Sequence, residues 1–301
     1  MEEKNYIEKD FSDYINVILN FFKENLIPIC SVTFLSAIFS IWIALNIVNE
    51  YRSVATLIPS SLNEQSSSLG GLSALGGLAG MDMNVEGAAN NLIAKELFKS
   101  KVFINKFVND NDLLTTIMAA KGWNQENNQI IIDEKIFNNG KWQRPQDGLI
   151  KPKPGPEEVY LKFTSKFSFS QERDKVITVS YTSFSPFLSQ KILALLIEAV
   201  NNEVRQRDIS EAESSKDFLM RQLENTKEVN ISVLIANLIE DEIKNIKLAQ
   251  VKKDYIYTIV DSPSSPISRY GVPRSLICFL ITLSGFFLSL VLVILKNFIK
   301  R

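Results

Sequence analysis

Histidine is absent from all 301 residues of this chain, and cysteine occurs only twice. Without histidine there are no histidine-based triads and none of the commonest zinc sites. No Gly-x-x-x-x-Gly-Lys-[Ser/Thr] run occurs, which removes the usual ATP-binding loop. An excess of either charge is also lacking: 33 Lys and Arg stand against 34 Asp and Glu. No basic block rises above that mixed background, so the nucleic-acid footprint is missing. Acidic clusters exist at Asp133-Glu134, Glu157-Glu158 and Glu240-Asp241-Glu242, and a glycosidase needs two carboxylates. Adjacent residues do not face each other on a regular element, however, and such clusters read as solvated surface. The expectation is a protein that is not an enzyme and holds no cofactor and no metal.

What the chain does have is two long apolar runs at its ends, residues 26–48 and 275–295. At about 1.5 Å per residue, runs of about 21–23 residues match the ~30 Å hydrocarbon core of a bilayer. The first is about twice as long as a signal-peptide apolar region and no Ala-x-Ala-like cleavage site follows it. Buried core helices, the other reading, seldom go so long without a charge. Trp42, Tyr51 and Tyr270 suit the interfacial belt. Lys4, Lys9 and Lys23 precede the first run and Lys296, Lys300 and Arg301 follow the second, whereas Arg52, Arg269 and Arg274 flank the inner side. Both termini are therefore expected in the cytoplasm, as tails at 1–25 and 296–301. Residues 49–274 would lie across the membrane as one domain. Cys30 and Cys278 then occupy opposite leaflets and cannot meet within a subunit, and the domain itself carries no cysteine.

The domain opens on Tyr51-Arg-Ser-Val-Ala-Thr-Leu-Ile-Pro59, an alternating, β-branched run that predicts a strand closed by proline. A segment at 66–80 follows, with Leu-Gly-Gly-Leu at 69–72 and again at 75–78. It reads as a flexible linker or as a loop packing its leucines on a neighbour. Leu92, Leu97, Ile104, Phe107 and Val108 predict helix over 90–114, broken near Ser100. The Pro, Gly and Asn-rich stretch 124–156 predicts extended or irregular chain. The run 161–169 alternates like a strand, yet Val159, Phe163 and Phe167 also share a helical face, so the period leaves both open. Residues 175–181 predict a strand, with 171–174 as the turn before it.

From Pro186 a thin stripe of Leu196, Val200, Val204, Ala212, Leu219 and Leu223 runs through charged sequence. A helix with so narrow an apolar face should project and pack on one partner only. Residues 225–230 predict its tip, and Ile235, Ile239, Ile243 and Ile246 a returning helix, giving a long hairpin over about 186–250. Residues 254–260 predict another strand, able to pair with 51–58 in one sheet. Pro263, Pro266 and Pro273 then favour an extended strut into the second apolar run. The fold class is thus an α/β (α+β) domain with a long projecting helical hairpin, flanked by two transmembrane helices.

Taken together, the two spans, the run Tyr51 to Pro59, the Gly-Gly-Leu repeats, the long polar helix and Val260-Asp-Ser-Pro-Ser-Ser-Pro266 resemble the Wzz-type chain-length determinants, the polysaccharide co-polymerases. The resemblance covers essentially the whole chain. It implies a bacterial inner-membrane protein whose periplasmic domains assemble side by side into a homo-oligomeric ring. Acting with a Wzy-type polymerase, and in contact with the growing glycan, such a ring sets the length of O-antigen or a related glycan. The cytoplasmic tyrosine kinase fused to some relatives has no counterpart in the six residues after 295. The family often has a glycine-rich patch in the last span, where this chain offers Gly285 beside Ser284, so close packing of that span is not implied here. The interaction residues this reading singles out are Arg205, Arg207 and Glu211 on the long helix, Gly70, Gly71, Gly76 and Gly77 in the repeats, Pro263, Pro266 and Pro273 in the strut, and Gly285. A related architecture, an inner-membrane adaptor of capsule or exopolysaccharide export, is the alternative.

Overall fold

The computed structural model describes residues 23, 25–60, 85–148, 151–172 and 176–299. In chain order these form α1 (Leu26–Asn46), β1 (Tyr51–Pro59), α2 (Val85–Leu97), α3 (Lys101–Asp110), α4 (Leu114–Met118), the strand pair β2 (Ala120–Asn124) and β3 (Gln129–Ile132), and the short pair β4 (Phe137–Asn138) and β5 (Lys141–Trp142). After them come α5 (Pro156–Thr164), β6 (Phe167–Gln171), β7 (Ile177–Ser183), α6 (Pro186–Asn225), α7 (Val229–Val251), β8 (Tyr257–Asp261) and α8 (Arg274–Ile299). They make two compact units, one built on α1 and α8 and the other running from Asn49 to Tyr270.

In the first unit α1 and α8 pack on each other. Only 11% of the apolar window of α1 and 17% of that of α8 is buried. A core helix of a water-soluble protein is mostly buried, whereas these two leave Phe34, Phe39, Trp42, Phe279 and Phe287 exposed. Both are long and apolar enough to cross a membrane. The first helix ends two residues before the end of its apolar run, and Arg274 donates to the Ile47 carbonyl there at 2.9 Å, a basic group at a helix C-terminus.

The second unit is a four-stranded antiparallel sheet in the order β6-β7-β1-β8, with helices on one face. Ala55 and Leu57 of β1 and Ile177, Val179 and Tyr181 of β7 point into the core, while Val54 on the alternate face is 42% exposed. The strand β1 does pair with β8, Leu57 opposite Ile259. Pro59 sits at the end of β1, where its missing donor interrupts no ladder. On the helical side, α3 starts at Ser100, whose hydroxyl accepts from the Phe103 N–H at 3.3 Å, an N-cap. Phe98 stacks on Phe167 and Tyr257, and Phe163 stacks on Phe167 and lies tilted against Tyr181.

The ambiguous run 161–169 turns out to be both things: α5 carries Val159 and Phe163 inward, and after Ser165-Lys166 the chain extends as β6. The stretch 124–156 is more ordered than irregular chain. Asn139 and Gly140 both have positive φ, 48° and 75°, and turn β4 into β5 with Phe137 against Trp142. An Asn-Gly pair is the residue pair a two-residue hairpin turn requires. Asn128 at φ 53° does similar work between β2 and β3. Farther on, Arg144 holds the proline-rich loop to α5, donating to the carbonyls of Lys151 and Pro152 and to Glu158.

The long helix also differs from the expectation of a single partner. Up to about Val204 it is a core element, with Ile192, Leu193, Leu196, Ile197, Val200 and Val204 all buried against β1 and β7. Ile192, Leu193 and Ile197 widen the face beyond the thin stripe. Past that point α6 packs on α7, and Ala212, Leu219 and Leu223 are half-buried. On α7 the inward line is Ile235, Ile239, Glu242, Ile246 and Ala249, so Ile243 points out at 37% exposure. Steps of four residues overshoot a 3.6-residue turn, and the line returns by stepping three to Glu242, which accepts from the Ser215 hydroxyl of α6 at 2.7 Å.

Candidate functional site

Three features of the described residues bear on function. Among the described residues no three His, Cys, Asp or Glu side chains gather as a metal site. What the chain builds instead is a seam, a neck and a hairpin.

The seam lies between α1 and α8. Ser36 on α1 faces Gly285 on α8, the Cys278 thiol reaches the Ser40 carbonyl, and Ser289 of α8 is also buried. A β-carbon added to Gly285 would overlap the Cβ and Oγ of Ser36. The single glycine of this helix is therefore a point of close approach, and α1 and α8 pack tightly there, where the thin glycine content had not implied it. Ser40 and Ser289 are each 1% exposed. Their hydroxyls donate within their own helices, to the carbonyls of Ala37 at 2.7 Å and Phe286 at 2.6 Å. Small residues with internally satisfied hydroxyls allow two apolar helices to approach without stranding a polar group. The Cys278 thiol points to the Ser40 carbonyl at 3.7 Å, and Cys278 and Cys30 are both free of any disulfide.

The neck is where the domain's chain enters and leaves. The Tyr270 N–H donates to the Glu50 carbonyl at 2.6 Å, making an isolated antiparallel bridge. Around it, Arg52 donates to the Tyr270 hydroxyl and to Ser180, both at 2.9 Å, and lies 4.5 Å from the Tyr270 ring centroid. Lys166 pairs with Glu50 at 2.5 Å. The proline strut belongs to this construction, and it buries more than an extended spacer would. Pro263 is buried and its carbonyl accepts from Gln190 at 3.0 Å, while the Ser264 carbonyl accepts from Ser53 at 2.8 Å. Pro266 is half-buried, and Pro273 is exposed directly before α8. A small recess beside the neck is lined by Glu50, Lys162, Lys166 and Tyr181, and burial pushes the Tyr181 phenol well above its usual range.

The hairpin carries the remaining expected residues, with different roles. Arg205 turns inward: it donates to the carbonyls of Lys252 and Lys253 at 2.6 and 2.8 Å, where α7 ends, and lies over the Tyr255 ring. It holds the monomer's own hairpin to the sheet. Arg207 and Glu211 are exposed and 3.9 Å apart. Nearby, Asp208 accepts from the Tyr255 hydroxyl at 2.7 Å and from Asn90 at 3.0 Å, and burial raises its carboxyl above the usual range against the pull of those bonds. Gly70, Gly71, Gly76 and Gly77 lie outside the described residues. Local sequence rules offer no cause to single out Asn201, yet the fold turns on it. It is 5% exposed, accepts from the N–H groups of Ile256 and Tyr257 at 3.1 and 2.9 Å, and donates to the Tyr257 carbonyl at 3.2 Å. Its amide acts as one more strand residue beside the start of β8.

No protein-family profile and no curated protein matches the sequence. Among solved structures, the chain is similar to a full-length bacterial polysaccharide co-polymerase, with 13% identity, a TM-score of 0.42, and coverage of 94% of this chain and 97% of that one. It is also similar to a fragment of the co-polymerase WzzB from Salmonella Typhimurium, with 14% identity, a TM-score of 0.33, and coverage of 74% of this chain and 100% of that one. A third is the O-antigen chain-length regulator of Shigella flexneri lipopolysaccharide, a point mutant, with 13% identity, a TM-score of 0.26, and coverage of 73% of this chain and 100% of that one. These neighbours are polysaccharide co-polymerases.

Proposed function

We propose that this chain is a two-span inner-membrane scaffold that sets the length of a bacterial surface polysaccharide, O-antigen or a related glycan, as a homo-oligomer beside a Wzy-type polymerase. The observation that carries the reading is the 40-residue helix α6. Half of it belongs to the core and half extends with α7 as a rigid two-helix arm. A folded protein builds such an arm to present surface, because the arm adds little burial of its own.

In this reading α1 and α8 cross the membrane, both termini are cytoplasmic and the unit from Asn49 to Tyr270 is periplasmic. The motifs quoted from Tyr51 to Pro59 and from Val260 to Pro266 support it, because each is used: the first as an inner strand, the second as a lead-out to the neck held through the Pro263 and Ser264 carbonyls. Deleting the gene and separating the surface polysaccharide by size tests the proposal. A lost preferred length with polymer still exported is the expected result. Loss of all surface polymer would instead mark an export adaptor, and an unchanged length distribution would reject the reading.

A further inference from the structure

We infer that the recess beside the neck is a binding site for a phosphate group, held by the Tyr181 hydroxyl and the ammonium groups of Lys162 and Lys166. The recess measures about 30 Å³ and is partly open. At about 10–15 Å³ for each water-sized centre, it admits two oxygens of one tetrahedral oxyanion and leaves the others outside. Its polar lining comes from Glu50 ahead of β1, Thr116 of α4, Lys162 and Lys166 in and after α5, and Tyr181 and Ser183 of β7.

Tyr181 singles this recess out. It is 3% exposed, and its ring lies 5.2 Å from that of Phe163. Yet its hydroxyl has no hydrogen-bond partner among the described residues. A buried phenol normally finds one, and leaving it unmade is expensive. The recess is where a partner can reach it. Ser183, two residues on, shares that face of β7 and adds a second hydroxyl that bonds to no described residue.

The charges of the lining select an anion. Lys166 pairs with Glu50 at 2.5 Å, whereas Lys162 is exposed and makes no ion pair among the described residues. Two ammonium groups against one carboxylate leave a positive charge for the ligand. The carboxylate is already engaged, so a cation finds no free ligand here. Burial keeps the Tyr181 phenol protonated, and a protonated hydroxyl beside ammonium groups is a set of donors, which phosphate oxygens accept. Glu50 follows the last residue of α1 by four positions, and Tyr270 precedes the first of α8 by four. Four residues reach at most about 14 Å, so with these helices in a membrane the recess opens near the lipid phosphates. Only this last step rests on the proposed topology. A lipid headgroup is then one source of the phosphate group, and free phosphate the other.

Thermal unfolding of the full chain in maltoside micelles tests the site, because a ligand that binds the folded state raises Tm. Inorganic phosphate is titrated at constant ionic strength against chloride and acetate, and in a parallel arm phosphatidylglycerol is added to the micelles against diacylglycerol, which lacks the phosphate. The parent should gain stability with phosphate, with phosphatidylglycerol or with both, and not with the controls. Tyr181→Phe should be as stable as the parent without ligand, since its hydroxyl holds nothing, and should bind about tenfold more weakly. Lys162→Gln, at an exposed side chain, should weaken binding while leaving the ligand-free Tm unchanged. A gain from phosphatidylglycerol alone assigns the site to a lipid headgroup, a gain from inorganic phosphate alone to the free ion, and a gain from both to the phosphate group in either source. No gain in either arm, an equal gain with acetate or diacylglycerol, or a gain that Y181F and K162Q leave intact would overturn the inference. So would a Y181F chain that is destabilised without ligand, because its hydroxyl would then have a structural partner. Binding with an unchanged glycan on gene deletion keeps the site and rejects the length-regulator reading; lost length control with no binding in either arm does the reverse.

Discussion

Replacing Asn201 with leucine, which has nearly the same shape, should cost the domain about 3–6 kcal/mol. The side chain is 5% exposed and serves three backbone groups: the N–H of Ile256, the N–H of Tyr257 and the carbonyl of Tyr257. Ile256 is 6% exposed and Tyr257 not at all, so water cannot take over. Each buried polar group left without a partner costs about 1–3 kcal/mol, and three of them, partly relieved by relaxation at the strand end, give the stated range. That is a large share of the roughly 5–15 kcal/mol by which a domain is stable. Aspartate at the same position keeps the acceptor for both N–H groups and loses the donor, so its loss should be smaller than that of leucine despite the buried charge. Denaturant unfolding of the full chain in detergent, followed by tryptophan fluorescence, measures both. A leucine variant within about 1 kcal/mol of the parent, or an aspartate variant less stable than leucine, would refute the reasoning.

Gly285→Leu should separate α8 from α1 at a cost of about 1–3 kcal/mol for overpacking, and Gly285→Ala combined with Ser36→Gly should recover what Gly285→Ala alone loses, as read by thermal stability in detergent. Arg205→Glu should destabilise the domain by about 3 kcal/mol through its two carbonyl contacts, whereas exchanging the exposed pair as R207E with E211R should stay within about 1 kcal/mol in the same unfolding assay. Glu158 is held below the usual carboxylate range mainly by the Arg144 guanidinium; its contribution is present above the ordinary glutamate pKa and lost as pH falls through the folded value, so Glu158→Gln should lower stability at pH 7 and flatten the acid side of the stability profile. Asp208 has the opposite sign: burial raises it, the penalty of its ionisation builds as pH rises from the ordinary aspartate value to the folded one, and Asp208→Asn, which can still accept from Tyr255, should be as stable as the parent or more so at pH 7 and unchanged in acid.

The parts of this architecture legible in the sequence are those written in runs and periods. Two charge-free stretches, an alternating strand before Pro59 and a helix opened by Ser185-Pro186 each follow from local rules. What stayed hidden depends on pairing across the chain. Asn201 looks like any polar residue of a charged helix until β8 lies beside it. Arg205 resembles its neighbour Arg207 until the end of α7 comes within reach. Ser36 interrupts an apolar run for no visible reason until Gly285 meets it. The β4–β5 turn is different, since Asn139-Gly140 is a local signal that a reading for proline and glycine content passes over. The apolar flanks of α7 were visible as composition, yet a period of four assigned Ile243 inward, and only the line through Glu242 shows which apolar residues are left over.

The central position of β1 sets the order in which this domain can be finished. Among the described residues it is the first strand to be synthesised, and its ladder partners are β7, where Tyr51 meets Ser183, and β8, where Leu57 meets Ile259. At about 5–20 residues per second, roughly ten seconds pass before the first of them exists, and longer before the second. Through that interval a β-branched strand waits with both edges open, the condition under which chains pair wrongly with one another. Arg52 near its start and Pro59 at its end are residues that discourage such pairing. Tethering by the preceding apolar helix would also keep each nascent strand apart from its counterparts. The sheet therefore closes late and in two steps, β7 before β8, so a truncated chain lacking β8 leaves one edge of β1 open and should accumulate as an aggregation-prone species rather than as a smaller folded domain.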